Sequence, residues 1–306
     1  MKVIWNGKTD GGRVVALGTF DGVHLGHREL LETGIRCARG HGVPLRVCTF
    51  DRHPLEIIRP EIAPRILTTI TEKAALMARI GVDEMQLIRF RKETADTEPE
   101  DFLKMLREMT DLRAVIAGWN YSFGRKGRGD AEMLQEDGRR HGYETVILPP
   151  VTAQDGTILS SSAVRERIAA GRIPEAEAML GHGYQLSGRV RDGKHIGHTI
   201  GAPTANVAVD PRKQLPAFGV YPCFLETAEE QYRAVVNIGV QPTIPSGQVT
   251  VEANVLDGEP ELYGKRVRLT IGKMIRAERK FASPDELRAQ IARDREKAAK
   301  WFMSGE

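Results

Sequence analysis

Between Arg13 and Arg39 the chain passes from an apolar run, Arg13-Val14-Val15-Ala16-Leu17, through Gly18-Thr19-Phe20-Asp21-Gly22-Val23-His24-Leu25-Gly26-His27 into a segment of helical character. A short apolar strand, a glycine-rich turn and a helix make one β–α step, and the glycines let the backbone turn tightly and approach a ligand. The start of such a helix presents N–H groups and the positive end of its dipole to an anion. His24 and His27, in the spacing H-x-G-H, add two imidazoles able to donate hydrogen bonds to that anion. The expectation is a site that holds a nucleoside triphosphate and stabilises charge developing on it during attack at phosphorus.

The rest of the first half repeats this grammar. Strands are expected at Val14–Leu17, Leu45–Phe50, Glu84–Arg89, Ala114–Ala117 and Thr145–Leu148. Helices are expected at His27–Arg39, Thr71–Ile80 (capped by Thr71), Pro99–Thr110 and Ala131–His141, then Ser161–Ala170 and Pro174–Leu180. Repeated β–α units predict a parallel sheet covered by helices, with ligands at the carboxyl ends of its strands. Gly181-His182-Gly183 breaks the pattern, so the domain boundary is placed at residue 181. Beyond it come short β segments separated by Gly and Pro, at Tyr184–Arg191, Gly219–Glu226, Tyr232–Ile238, Thr250–Leu256 and Arg266–Ile275. They predict a small antiparallel barrel, followed by a helix opened by Ser283 and Pro284.

Composition narrows the classes of function. A net charge of +3 over 306 residues provides no basic footprint for nucleic acid. No apolar run has the length of a membrane-spanning helix, and the N-terminal residues lack a signal-peptide apolar core. The three cysteines, Cys37, Cys48 and Cys223, are odd in number and widely spaced, which predicts a reducing, cytoplasmic setting without a cysteine metal framework.

Further motifs carry chemistry. Thr49-Phe50-Asp51-Arg52-His53-Pro54 directly follows the second expected strand. Gly118-Trp119-Asn120-Tyr121-Ser122-Phe123-Gly124-Arg125-Lys126-Gly127-Arg128-Gly129 mixes glycines, cations and aromatic rings, a composition suited to phosphate and to a polar ring edge. Leu159-Ser160-Ser161-Ser162-Ala163-Val164-Arg165 places hydroxyls at a helix start with an arginine one turn on. In the second half, Gly193-Lys194-His195-Ile196-Gly197-His198-Thr199-Ile200-Gly201-Ala202-Pro203-Thr204-Ala205-Asn206 is followed by Asn237-Ile238-Gly239-Val240-Gln241-Pro242-Thr243 and by Thr250-Val251-Glu252-Ala253-Asn254.

The run G-T-F-D-G-V-H-L-G-H resembles the H-x-G-H nucleotidyltransferases, and in particular the N-terminal module of the prokaryotic bifunctional riboflavin kinase/FMN adenylyltransferase (FAD synthetase) family. The later motifs resemble the same family in order, from about residue 12 to about residue 302. The resemblance implies a Rossmann-like adenylyltransferase domain (1–181) and a riboflavin kinase-like barrel (182–306). It implies ATP as co-substrate, riboflavin, FMN and FAD as substrates and products, and Mg²⁺.

For the first domain it implies ATP contacts from Gly18, Phe20, Asp21, Gly22, His24, Gly26, His27, Ser161, Ser162 and Arg165, with His24, His27 and Arg165 stabilising charge. Flavin contacts would come from His53, Asn120, Phe123 and Arg125. For the barrel it implies ATP contacts from Gly193, Gly197, Gly201, Pro203, Thr204 and Asn206. Thr204 and Asn206 would serve as metal ligands, Arg276 as a flavin contact and Glu252 as general base. Four positions depart from the family pattern: His198 for Arg, Ala202 for Phe, Gln241 for Arg and Asn254 for His. Two alternatives stand beside the bifunctional reading: an adenylyltransferase whose barrel only binds flavin, and a non-catalytic flavin or nucleotide sensor.

Overall fold

The computed structural model describes residues 1–153, 156–191, 204–240 and 249–304. The chain forms two compact units, Met1–Ser161 and Ser162–Glu306.

The first unit is built on a six-stranded sheet of β1 (Lys2–Trp5), β2 (Gly12–Leu17), β3 (Leu45–Phe50), β4 (Glu84–Ile88), β5 (Asp111–Gly118) and β6 (Glu144–Leu148). Its order is β1-β4-β3-β2-β5-β6, and every neighbouring pair is parallel. Side chains alternate across the sheet, so each strand feeds two cores. Val14, Ala16, Val47, Met85 and Ile116 pack with Leu30 and Leu31 of α1 (Leu25–His41) and with Leu76 and Met77 of α3 (Ile70–Ile80). Val15, Leu17, Val115 and Ala117 pack with Phe102, Leu103 and Leu106 of α5 (Pro99–Met109) and with Leu134 of α6 (Ala131–His141). The chain thus winds outward on one face from β2 to β4, then returns to β5 and winds on the other. The reversal falls between β2 and β5, where ligands bind in open α/β sheets.

Two short helices, α2 (Leu55–Ile58) and α4 (Lys92–Ala95), lie in connections read as loops from sequence. β1 also escaped the sequence pattern, because its exposed residues acquire strand character only by pairing with β4. The cap of α3 is Thr69 rather than Thr71: its hydroxyl accepts the Glu72 N–H, and the Glu72 carboxylate accepts the Thr69 N–H in return. That reciprocal capping box places the cap two residues earlier and starts the helix at Ile70.

At the N-terminal end of the sheet, Arg46 is fully buried. It donates to Glu84 at 2.5 and 2.8 Å and to Gln86 at 3.0 Å, while Arg13 reaches Glu84 at 3.0 Å. Burial by itself would raise the Glu84 carboxyl, but hydrogen bonds from Arg13 and Arg46, with their charges, hold it below its ordinary value. A depressed carboxylate stabilises the fold above its unfolded pKa, and that contribution disappears as pH falls through the folded value. Arg46→Ala is expected to cost about 3 kcal/mol in urea unfolding at neutral pH, the lower end for a broken buried pair because Arg13 remains. Its penalty should shrink when unfolding is repeated below pH about 4.

The second unit begins with α7 (Ser161–Ala169) and α8 (Ile173–Leu180), which ends at left-handed Gly181. Then follow β7 (Tyr184–Arg191), β8 (Ala205–Val209), β9 (Gly219–Glu226), β10 (Gln231–Val240), β11 (Val249–Val255), β12 (Arg266–Ile271), β13 (Arg276–Ala277) and α9 (Pro284–Ser304). The order β10-β11-β8-β7-β12-β9 closes through a β9–β10 pairing into a six-stranded antiparallel barrel, with β13 added to β9. Tyr221, Cys223, Leu225, Val236, Ile238, Val251, Ala253 and Leu269 are buried on alternating positions of these strands. The last long strand stops at Ile271, not Ile275, because Trp301 of α9 packs over Gly272, where a β-carbon would come within 2.6 Å of its ring. Ser283 caps α9, its hydroxyl accepting the Glu286 N–H at 3.2 Å.

Candidate active sites

The loop leaving β2 carries positive φ at Phe20 (49°), Gly22 (83°) and Val23 (44°). Left-handed backbone is a genuine outlier for a β-branched residue such as Val23, and such strain persists only where the surroundings over-determine it. Here they do. The Asp21 carboxylate, 5 % exposed, accepts the N–H groups of Leu67 and Thr68 at 2.9–3.0 Å. The Thr68 hydroxyl oxygen accepts the Gly22 N–H at 3.0 Å. Ser161 donates to the Asp21 carbonyl at 2.8 Å, and the Thr19 carbonyl accepts from Thr49 Oγ1 at 3.1 Å and from Lys73 Nζ at 2.6 Å. Asp21 is therefore occupied in holding the turn.

The held loop delivers His24 as the N-cap of α1, its Nδ1 accepting the His27 N–H at 3.3 Å. A neutral His24 that accepts at Nδ1 carries its proton on Nε2. The His24 and His27 rings stack with centroids 3.7 Å apart, and Phe20 lies 5.2 Å from His27 on a tilted plane. Gly26 makes the stack possible, since a β-carbon there would sit 3.1 Å from the His24 ring. Burial, then the charges of His24 and Lys73, lower the His27 pKa well below its ordinary 6.5. His27 Nδ1 is buried and has no hydrogen-bond partner among the described residues. Buried polar atoms are satisfied in all but a few cases, and an exception in a cleft points to a ligand group.

Other residues proposed from sequence take varied positions. His53 Nδ1 accepts the Leu55 N–H at 3.2 Å, at the entry to α2. Asn120 is exposed at the turn after β5, beside the switch point. Phe123 is 5 % exposed and packs on Phe102 with centroids 5.0 Å apart, so its ring belongs to the core and anchors the loop. Arg125 is exposed and faces Glu98 at 3.4 Å, and Arg128 also pairs with Glu98. Ser162 is exposed at the start of α7, and Arg165 is partly buried one turn on.

In the barrel, strand register assembles a polar row. Glu252 on β11 lies opposite Asn206 on β8 and opposite Asn237 on β10. Directly opposed residues share a face, with β-carbons about 4.5–5.5 Å apart. The row continues from Asn237 to Val220 and on to Arg276 on β13. Its face is the one turned to α9: two residues along from Glu252, Asn254 accepts a hydrogen bond from Arg295 of that helix. Arg295 also donates to the carbonyls of Val255 at 2.9 Å and Leu256 at 2.8 Å. Asp294, the preceding residue, is buried and accepts from Arg276 at 3.0 and 3.1 Å and from Gln290 at 2.7 Å. Thr204 directly precedes β8. Gly193, Gly197, His198, Gly201, Ala202, Pro203 and Gln241 lie outside the described residues.

The FAD synthetase family model matches residues 7–163 and the riboflavin kinase model residues 180–302. The bifunctional riboflavin kinase/FMN adenylyltransferase of Escherichia coli K12 is 37 % identical over 294 residues, covering 95 % of this chain and 93 % of its own. This chain belongs to the bifunctional riboflavin kinase/FMN adenylyltransferase family. Its Bacillus subtilis member is 32 % identical over 295 residues, with coverage of 95 % and 93 %. A crystal structure described as a macrolide-efflux protein from Streptococcus pneumoniae superposes with a TM-score of 0.86 at 30 % identity, covering 98 % of this chain and all of that one. No helix among the described residues of this chain is long and apolar enough to cross a membrane.

Thr68, Lys73, Asp294 and Arg295 were not singled out from sequence. One signal was present: Lys73 sits on the buried side of α3 beside Leu76 and Met77, and a lysine in a core position requires a partner. Its partner, Thr19, is 54 residues away and was not legible.

Proposed function

We propose that this family member performs two successive ATP-dependent transfers, phosphorylating riboflavin to FMN in the barrel and adenylylating FMN to FAD in the sheet domain. The adenylylating module extends to Gly181 and the kinase module starts at His182, a division that differs from the compact units by taking α7 and α8 into the first module and is supported by the left-handed cap at Gly181 and the first barrel strand at Tyr184.

The observation that carries the second transfer is the stacked His24–His27 pair at the start of α1, with a buried and unpartnered His27 Nδ1. Adenylyl transfer needs no protein nucleophile. A phosphate oxygen of FMN attacks the α-phosphorus of ATP, the new O–P bond forms, the bond to the bridging oxygen breaks, and pyrophosphate leaves with that electron pair. The protein positions the partners and opposes the added charge. His24 Nε2–H, His27 and the α1 dipole supply that opposition. His53, Asn120 and Arg125 sit on loops that follow strands β3 and β5, where FMN would enter.

In the barrel, Glu252 takes the proton of the riboflavin 5′-hydroxyl as its oxygen attacks the γ-phosphorus and ADP leaves. The side-chain oxygens of Thr204 and of Asn206, the latter opposite Glu252 in the strand register, are the hard donors Mg²⁺ prefers, so these residues would hold it. When bound, the ion offsets charge on the phosphates. The Arg276 guanidinium is held by Asp294 of α9.

Incubating the protein with Mg-ATP and either riboflavin or FMN, then separating the flavins by chromatography, tests both transfers. FAD from both tubes is expected. FAD from the FMN tube alone would remove the kinase assignment, and FAD from neither would remove both. Lys73→Met tests the loop. It deletes the donor to Thr19 and the Lys73 charge, which depresses His27 after burial and His24, so the part of the pH profile set by His27 should move upward while burial still holds it below the ordinary value. An unchanged pH profile would refute that role.

A further inference from the structure

The C-terminal end of α1, about 24 Å along the helix from His24 at 1.5 Å per residue, carries a cluster that neither transfer uses. Cys37 and His41 are spaced i, i+4, so they project from one helix face, and Glu144 is the first residue of β6. Their ligand atoms all lie within 4.8 Å of one another. His41 Nε2 is 3.3 Å from Glu144 Oε2, and Cys37 Sγ is 3.9 Å from the same oxygen.

We propose that Cys37, His41 and Glu144 form a binding site for a thiophilic divalent cation of the Zn²⁺ class. The donor chemistry is mixed sulfur, nitrogen and oxygen, a set that favours Zn²⁺ over Mg²⁺ or Ca²⁺. Tetrahedral zinc with sulfur at about 2.3 Å and nitrogen or oxygen at about 2.0 Å spaces its ligand atoms about 3.3–3.5 Å apart. The His41–Glu144 separation already matches, and the Cys37–Glu144 separation is a few tenths of an ångström long, within the reach of a side-chain rotation.

The frame is rigid. Cys37 and His41 ride on a helix packed in the core, and Glu144 is fixed by its parallel pairing with Ala114. Three protein ligands leave a fourth, solvent-facing position for water. Binding forms an Sγ–metal bond, and the Cys37 thiol proton passes to solvent. A dication then balances one thiolate and one carboxylate. Without metal the thiol stays protonated, since partial burial and then the Glu144 carboxylate raise its pKa.

Cys48 and Cys223 are buried, with relative exposures of 4 % and 0 %, so thiol reagents read Cys37 in the folded protein. The test is titration of chelator-stripped full-length protein with Zn²⁺ against a chromophoric chelator, and with Co²⁺ for its thiolate charge-transfer band. One equivalent is expected, together with the band and protection of Cys37 from a disulfide reagent. Cys37→Ser and His41→Gln should each weaken binding by more than the roughly 10–100-fold lost with an outer-shell partner. His41 is exposed, and Cys37→Ser is nearly isosteric at a half-buried position, so the variants should fold, and FMN adenylylation should be unchanged in them. Zn²⁺ binding equal in wild type and both variants, or Cys37 reacting equally fast with and without Zn²⁺, would overturn the site.

Discussion

Glu252→Gln is expected to slow riboflavin phosphorylation by about 100- to 10,000-fold, the usual contribution of a positioned general base, while FMN is converted to FAD at the wild-type rate. The substitution keeps the shape of the side chain and its place between Asn206 and Asn237. What is lost is the carboxylate we propose as base toward the 5′-hydroxyl. Separate measurement of the two transfers makes the result specific, because a general loss of fold would depress both. The barrel core supplies a reason to expect none. Val251 and Ala253, the neighbours of Glu252 along β11, point to the opposite face and are buried. A kinase rate within about threefold of wild type would remove Glu252 from the role of base.

His24→Asn and His27→Ala are each expected to slow FMN adenylylation by roughly 100-fold or more, by analogy with loss of one oxyanion donor, and to spare riboflavin phosphorylation. His24 has two jobs that the asparagine variant separates. Its Nδ1 caps α1 by accepting the His27 N–H, and asparagine is among the best residues at that position. Its Nε2–H is the donor we propose for the phosphates, and asparagine cannot place a donor at the same reach. A fall in rate without a fall in melting temperature therefore isolates the chemical role. For His27 the pH dependence has a definite sign. Burial keeps the folded imidazole neutral well below 6.5, so the unfolded chain binds the proton more readily. The stability cost of His27 thus grows as pH drops below that value, and His27→Ala should flatten this part of the stability curve.

Much of this arrangement was written locally. Caps, glycines and hydrophobic periodicity act over a few residues. Leu45–Phe50, Ala131–His141, Tyr184–Arg191 and Gly219–Glu226 accordingly occupy the ranges expected from pattern alone. The H-x-G-H run likewise puts a helix start near His27, while the structure starts α1 at Leu25 and makes His24 its cap. Strand β8 (Ala205–Val209) was not legible, since its residues run straight on from the glycine- and proline-containing segment that ends at Thr204 and take strand form between β7 and β11.

What tertiary structure alone decided is which distant groups meet. Asp21 finds Leu67 and Thr68, Lys73 finds Thr19, and Arg295 finds Asn254 across 41 residues. Glu252 stands between Asn206 and Asn237 because the barrel closes in one register, and a slip of one residue would turn it to the opposite face. Sequence pattern carries period and caps. Register and long-range partners follow from the single packing that buries both faces of the sheet and the inside of the barrel at once.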